Sequence, residues 1–333
     1  MLAAISRKIQ QAWYEKHFLL WLLLPVSLAF RSLTGLRRLA YLSGYKTIVP
    51  SPCPVIVVGN INVGGSGKSP LVICLVEHLK TLGYRPGIVS RGYGGTAPAY
   101  PCAVDEQSNP AQVGDEPWMM QRRTGLPCVV DPVRPRGIQY LYDHFDCDII
   151  ISDDGLQHYA MARDIEIVVL DGQRHLGNGF CLPAGPLREP ASRLDSVDFV
   201  VVNGGKVTLS QYAMSLSVEG LYPLAEFNEP EGEPVPFKMN EKVHAVAGIG
   251  NPQRFFDTLT TLGCDVDERP YPDHYQFSGE ELKFNDNYKI ALTEKDAVKC
   301  LGYDIDNAYY LKVNAKLEMP FWIALQEKLK SLN

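Results

Sequence analysis

The residues from Gly59 to Ser69 read Gly-Asn-Ile-Asn-Val-Gly-Gly-Ser-Gly-Lys-Ser. A glycine run closed by lysine and a hydroxyl is suited to gripping phosphate. Glycines let backbone N–H groups close around phosphate oxygens, and the following helix adds its positive end. Asn62, Val63, Gly64, Gly65, Ser66, Gly67, Lys68 and Ser69 would line such a loop. Lys68 would reach the β- and γ-phosphates of a nucleotide, and the Ser69 hydroxyl would ligate magnesium. The strict pattern has glycine where this chain has Asn62. A glycine-rich turn without ligand is the plain alternative.

A magnesium-binding acid belongs at the end of a neighbouring strand. Asp148-Ile149-Ile150-Ile151-Ser152-Asp153-Asp154-Gly155 fits, with an apolar run entering two acids and a glycine. One of Asp153 and Asp154 would hold the ion and the other would act through water; a solvated turn is the alternative. Gln157 and His158 follow, placed either to meet phosphate or to serve structure. Asp115 and Glu116, between Gly114 and Pro117, would cap a helix or work at a site. Arg188, in Pro-Leu-Arg-Glu-Pro, would meet phosphate or form a surface ion pair.

These residues need a scaffold. Residues 55–58 form an apolar strand before the glycine loop, and residues 70–82 a helix after it. Further short β-branched runs lie at 85–90, 128–130, 148–151, 165–170 and 199–202. Runs without alternation fit parallel strands buried on both faces, with helices between. The class is therefore α/β with a doubly wound, mostly parallel sheet. Residues 228–240, rich in Pro and Glu, read as a linker or exposed hairpin. A strand at 243–248, a helix at 252–262, strands at 289–292 and 309–313 and a last helix make a smaller C-terminal lobe. The division is then 1–48, an N-terminal anchoring segment; 49–227, the phosphate-loop core; 228–240, the linker; and 241–333, the lobe.

A chain of 333 residues suits one large and one small domain. Its net charge of −6, without a basic cluster, speaks against a nucleic-acid partner. Eight scattered cysteines without a C-x-x-C pair speak against zinc and a disulfide framework. Residues 18–30 read FLLWLLLPVSLAF. The run is shorter than the ~20 residues that span a bilayer, and Pro25 would kink it. Lys16 and His17 precede it; Arg31, Arg37 and Arg38 follow. An interfacial helix is the favoured reading, against a buried core helix or a cleaved signal peptide.

With these elements in order, the sequence closely resembles the tetraacyldisaccharide 4′-kinases. The resemblance rests on GNINVGGSGKSP (59–70), SRGYGG (90–95), GDEP (114–117), SDDGLQH (152–158), PAGPLREP (183–190), GIGNPQRF (248–255), PDHY (272–275) and LTEKDAVK (292–299). That family also lacks the first loop glycine, and more often has threonine where this chain has Ser69. The resemblance implies transfer of the γ-phosphate of ATP to the 4′-hydroxyl of a tetraacyldisaccharide 1-phosphate, giving lipid IVA, with magnesium as cofactor. It implies Lys68 and Ser69 at the phosphates, Asp153 and Asp154 as the magnesium acids, Asp115 as base and His274 as its partner. Glu116, Arg134, Gln157, His158 and Arg188 become supporting residues. It further implies a monotopic anchor on the cytoplasmic face of the inner membrane, with no obligate protein partner. The rival readings are a soluble P-loop ATPase and a nonenzymatic membrane scaffold with a relic nucleotide site. The lysine that such ATPases place before the glycine pair is Val63 here, and Thr293-Glu294-Lys295-Asp296 has the wrong order for a guanine reader.

Overall fold

The computed structural model describes residues 12–15, 17–227, 233–236 and 238–332. Lys16 and residues 228–232 and 237 of the expected linker lie outside the described residues. In chain order the strands are β1 (Val55–Gly59), β2 (Pro86–Ser90), β3 (Cys102–Val104), β4 (Cys128–Val130), β5 (Ile149–Asp153), β6 (Ile165–Asp171), β7 (Phe199–Asn203), β8 (Tyr212–Pro223), β9 (Lys242–Ala247), β10 (Asp265–Pro270), β11 (Lys289–Thr293) and β12 (Ala308–Leu317). The helices are α1 (Leu24–Leu42), α2 (Lys68–Thr81), α3 (Pro110–Val113), α4 (Asp115–Thr124), α5 (Arg134–Phe145), α6 (Pro252–Thr261), α7 (Glu294–Cys300) and α8 (Met319–Lys330). Among the described residues all twelve strands form one sheet, ordered β10-β9-β11-β12-β8-β7-β6-β1-β5-β2-β4-β3.

The glycine loop leaves the central strand. β1 pairs in parallel with β5 on one side and β6 on the other. β1, β2, β5 and β7 are buried along their whole length, because helices cover both faces. Ile56 and Val58 meet Leu71, Leu75 and Leu79 of α2. Val55 and Val57 point the other way, among Ile138, Leu141 and Leu156. Two further cores flank β9: Ala245 and Ala247 with Phe255, Phe256 and Leu259 of α6, and Val246 with Leu292 and Cys300. Phe321, Leu325 and Leu329 of α8 return to pack in the first core.

The seam between the halves is antiparallel. β7 lies parallel to Tyr212–Met214 at the start of β8, while β12 runs antiparallel along β8 to Pro223. β9 and β11 join β12 in parallel near its beginning, opposite the far end of β8. That displacement is about seven residues, or roughly 20 Å at strand rise. Strands of the second half therefore point back at the first, so the carboxyl ends of both sets face one crevice. Ligands of open α/β sheets bind outside the carboxyl ends of the strands.

The N-terminal segment differs from its expected form. Phe18–Leu23 is a 3₁₀ turn that runs directly into α1. Pro25 does not kink a helix; it sits in the first turn of α1, where its missing N–H costs nothing. Helical structure continues from Phe18 to Leu42, 25 residues of mean hydropathy 1.6 over its most apolar window, long and apolar enough to cross a membrane. That window is 11% buried, which excludes a core helix. Leu33, Leu36, Leu39 and Leu42 are all exposed. Contacts with the body include Ser27, whose hydroxyl donates to the Cys181 carbonyl at 2.6 Å, Trp21 against Phe180, and Arg38, which donates to the Ser196 hydroxyl at 3.0 Å.

Candidate active site

The glycine loop is clamped on three sides. Gly67 opens α2 at φ +92°, and a Cβ there would strike the Asn203 amide at the end of β7. That amide donates to the Ser66 carbonyl at 3.0 Å. On the second side, Gly250 lies so close that a Cβ on it would strike the Gly65 nitrogen. On the third, Asn62 bridges Leu187, and the Val63 N–H donates to the Pro186 carbonyl at 2.8 Å. The Asn62 amide is buried and donates to the His175 carbonyl at 3.2 Å. Its side chain thus holds the loop to 175–187, and a glycine there would lack that bond.

Lys68 stands in the first turn of α2 with its ammonium 3.4 Å from Asp154 Oδ1. Arg188 reaches the other oxygen of the same acid at 3.0 Å. Burial would push Asp154 up, but these two cations hold its carboxyl well below the usual range. Asp153, the last residue of β5, is 2% exposed. Its Oδ2 accepts from the Ser90 hydroxyl at 3.2 Å, and its Oδ1 is buried without a hydrogen-bond partner. Burial, then the charges of Glu116 and Asp154, push its carboxyl up to about 7. The Ser69 hydroxyl faces Glu116 Oε1 at 3.5 Å.

Asp115 begins α4 and His274 comes from the segment after β10, yet His274 Nδ1 is 3.8 Å from Asp115 Oδ2. His274 takes φ +58°, and its N–H donates to the Gly248 carbonyl at 3.1 Å. Tyr93 lies against its ring, 4.7 Å between centroids. Burial works to raise the Asp115 carboxyl; neighbouring His274 and the Lys295 charge outweigh it, leaving it below the ordinary range.

The remaining expected residues divide by what they touch. Arg134 is buried, donating to the carbonyls of Asp131 and Asp153 at 3.2 Å each, and so supports the turn that carries the paired acids. Gln157 donates to the Asn60 carbonyl at 3.1 Å and to Glu189 at 2.7 Å, bracing the glycine loop. His158 is partly buried within a positive field. Burial, then Arg134, Arg163, Arg37 and Arg91, lower it to about 4.

Several side chains that motif reading left without a role also converge here. Lys295 of α7 lies 3.0 Å from Glu116 Oε1 and 3.7 Å from Asp273 Oδ1. Asn251 donates to Asp171 at 2.8 Å, Arg254 pairs with the same acid at 3.1 Å, and Arg174 donates to the Gly250 carbonyl. Each sits outside the glycine loop and the paired acids; the placement of Lys295 inside LTEKDAVK and of Asn251 and Arg254 inside GIGNPQRF was the available signal.

A strand–glycine loop–helix with Lys68 and Ser69, beside a strand ending in paired acids, defines a P-loop phosphotransferase. Within that class, the chain belongs to the tetraacyldisaccharide-1-P 4′-kinase family, whose sequence profile matches residues 19–330. It is 44% identical to the tetraacyldisaccharide 4′-kinase of Hahella chejuensis, over 97% of each chain. With that of Aeromonas salmonicida it shares 47%, again over 97% of each. Among solved structures, LpxK of Aquifex aeolicus in complex with ATP aligns with a TM-score of 0.76 at 28% identity, covering 94% of this chain and 99% of that one.

Proposed function

We propose that this chain is an ATP-dependent kinase that phosphorylates the 4′-hydroxyl of a tetraacylated disaccharide 1-phosphate. The observation that carries the reading is the Asp115–His274 pair, 3.8 Å apart, next to Glu116, whose Oε1 faces the Ser69 hydroxyl of the phosphate loop at 3.5 Å. A phosphate loop alone fits any nucleotide hydrolase; a carboxylate with a histidine beside it supplies what a sugar hydroxyl needs. A hydroxyl is a poor acid, and phosphoryl transfer depends mainly on positioning and on charge. Asp115, ionised well below neutral pH, accepts the hydroxyl proton as the new bond forms. His274 orients that carboxylate or shares the proton. Lys68 exchanges Asp154 for the β- and γ-phosphates.

The residues fit magnesium. Asp153 Oδ1 is buried without a partner, and Asp153 is crowded by two other carboxylates, an arrangement a hard divalent cation relieves. Ser69, Asp153 and Asp154 would hold it, and it would neutralise the phosphate oxygens. Arg188, partly exposed where it pairs with Asp154, would meet phosphate. The exposed apolar α1 suits attachment to the cytoplasmic face of the inner membrane, where the acceptor's acyl chains lie. Within residues 241–333, we keep the part other than α8, which packs in the first core, as a lobe that closes on residues 49–227, since the catalytic pair spans them.

The protein incubated with γ-labelled ATP and acylated disaccharide 1-phosphate in detergent tests this. Label on the lipid is the expected result. Free phosphate without lipid product would make it an ATPase, and neither product would make it a scaffold.

A further inference from the structure

We propose that Lys295 is a positioning residue for phosphoryl transfer: its ammonium ties Glu116, beside Ser69, to Asp273, beside His274, and so sets the catalytic pair in register with the phosphate loop. The inference rests on the reading of Asp115 as base.

Lys295 gains nothing from its own helix. It stands in the first turn of α7, where a cation opposes the helix dipole. Its side chain is 16% exposed, and a lysine is rarely buried so far without partners. The partners come from two different parts of the chain. Glu116 Oε1, at 3.0 Å, belongs to α4, and Asp273 Oδ1, at 3.7 Å, precedes His274. Glu116 Oε1 also faces the Ser69 hydroxyl at 3.5 Å. Asp273 Oδ1 in turn accepts the His274 N–H at 3.1 Å. One ammonium thus joins the magnesium-side hydroxyl to the backbone of the catalytic histidine.

The same helix holds the histidine by a second route. Asp296 accepts the Gly248 N–H at 2.8 Å, and Lys299 donates to the Gly248 carbonyl at 3.4 Å. That carbonyl also receives the His274 N–H. Asp296 and Lys299 are almost fully buried and pair with each other, as a structural strut does. Lys295 instead lies between Glu116 and Asp273, within the field of Asp115. Burial would lower its charge; those three acids hold it firmly protonated. Without the ammonium, Glu116 and Asp273 lose their common cation, and the His274–Asp115 contact is left as the loop's side-chain tie to α4.

The test uses the full chain with ATP and tetraacyldisaccharide 1-phosphate in detergent. Lys295→Met should lower kcat by about 10- to 100-fold, as expected of a misplaced reacting pair. Its KM for ATP should stay within about twofold, because Lys68 and the loop amides are untouched. Lys295→Arg, which keeps the charge, should recover much of the loss. Asp273→Asn, at a side chain 38% exposed, tolerates substitution and keeps the test open if Lys295→Met does not fold. It should lower kcat severalfold with ATP affinity intact. Unchanged kcat in Asp273→Asn or in folded Lys295→Met would overturn the proposal. A KM for ATP that rises with the fall in kcat would also overturn it, making Lys295 a phosphate contact. Asp115→Asn separates the two readings. Full turnover in that variant removes the base assignment, whereas a slow Asp115→Asn beside a fast Lys295→Met removes only the role given to Lys295.

Discussion

Asp154 holds two cations, and that redundancy separates catalysis from stability at Lys68. When Lys68 becomes alanine, Arg188 still pairs with Asp154 at 3.0 Å, so the acid is not left alone. The fold should survive with a nearly unchanged melting temperature. Turnover should fall by about 10²-fold or more, the usual cost of removing a donor aimed at developing charge. Near-normal kcat in a folded Lys68→Ala protein would remove the phosphate-loop assignment. His158 carries the opposite kind of expectation, one of stability. Burial and four arginines depress it to about 4 from an ordinary 6.5. A histidine depressed on folding contributes stability above 6.5, and that contribution is lost as pH falls through 6.5 towards 4. His158→Asn should therefore flatten the decline of the denaturation midpoint over that window, by at most one proton's slope. An identical decline in the variant would show that His158 feels no such field.

Among elements, α1 is the one whose exposure calls for a partner surface. Leu33 and Leu36 are 70% and 64% exposed, while Ser27 fixes the helix to Cys181. A deletion would remove both functions together; a charge on the exposed face removes one. Leu36→Glu should fold normally and float less well with anionic lipid vesicles, and its apparent KM for lipid substrate should rise. Equal flotation of variant and parent would end the membrane role of this face. The same helix shows what sequence patterns convey. Its apolarity was plain, but its length and the place of Pro25 were not, because a proline inside an apolar run signals a kink as readily as a start. The core strands were legible as β-branched runs buried on both faces. β10 was not: its sequence, Asp-Val-Asp-Glu-Arg-Pro, is charged because it lies at the sheet edge, where charge discourages further pairing. β8 escaped for another reason. Gly220 interrupts its apolar pattern and Pro223 ends it, and it is half-buried along a ribbon whose partner, β12, lies far along the chain. Lys68, Ser69 and the paired acids could be read because neighbours in sequence form their motif. Lys295, Asn203 and Asn251 could not, since their partners are brought near by folding alone.

At the scale of the molecule, the antiparallel seam along β8 and β12 turns the carboxyl ends of two strand sets towards one crevice. Asp115 enters from the first set, and His274 from a loop of the second. The two are 159 positions apart in the chain, numbered 115 and 274, and meet through tertiary structure alone. If they form one catalytic unit, Asp115→Ala and His274→Ala should each lower kcat by about 10²- to 10⁴-fold, the range of a lost general base. The double variant should then be within a few-fold of the slower single, because residues that act together are strongly non-additive. ATP affinity should survive in all three, since Lys68, Ser69 and the loop amides stay in place. The competing account gives each residue a separate structural task. Asp115 would brace the first turn of α4, accepting the Glu116 N–H at 3.0 Å, and His274 would pack on Tyr93. On that account melting temperatures fall, and losses in kcat are small or multiply independently. A double-mutant cycle in kcat, run beside thermal melts, decides between them; multiplied losses would break the pair apart even where each single variant is slow.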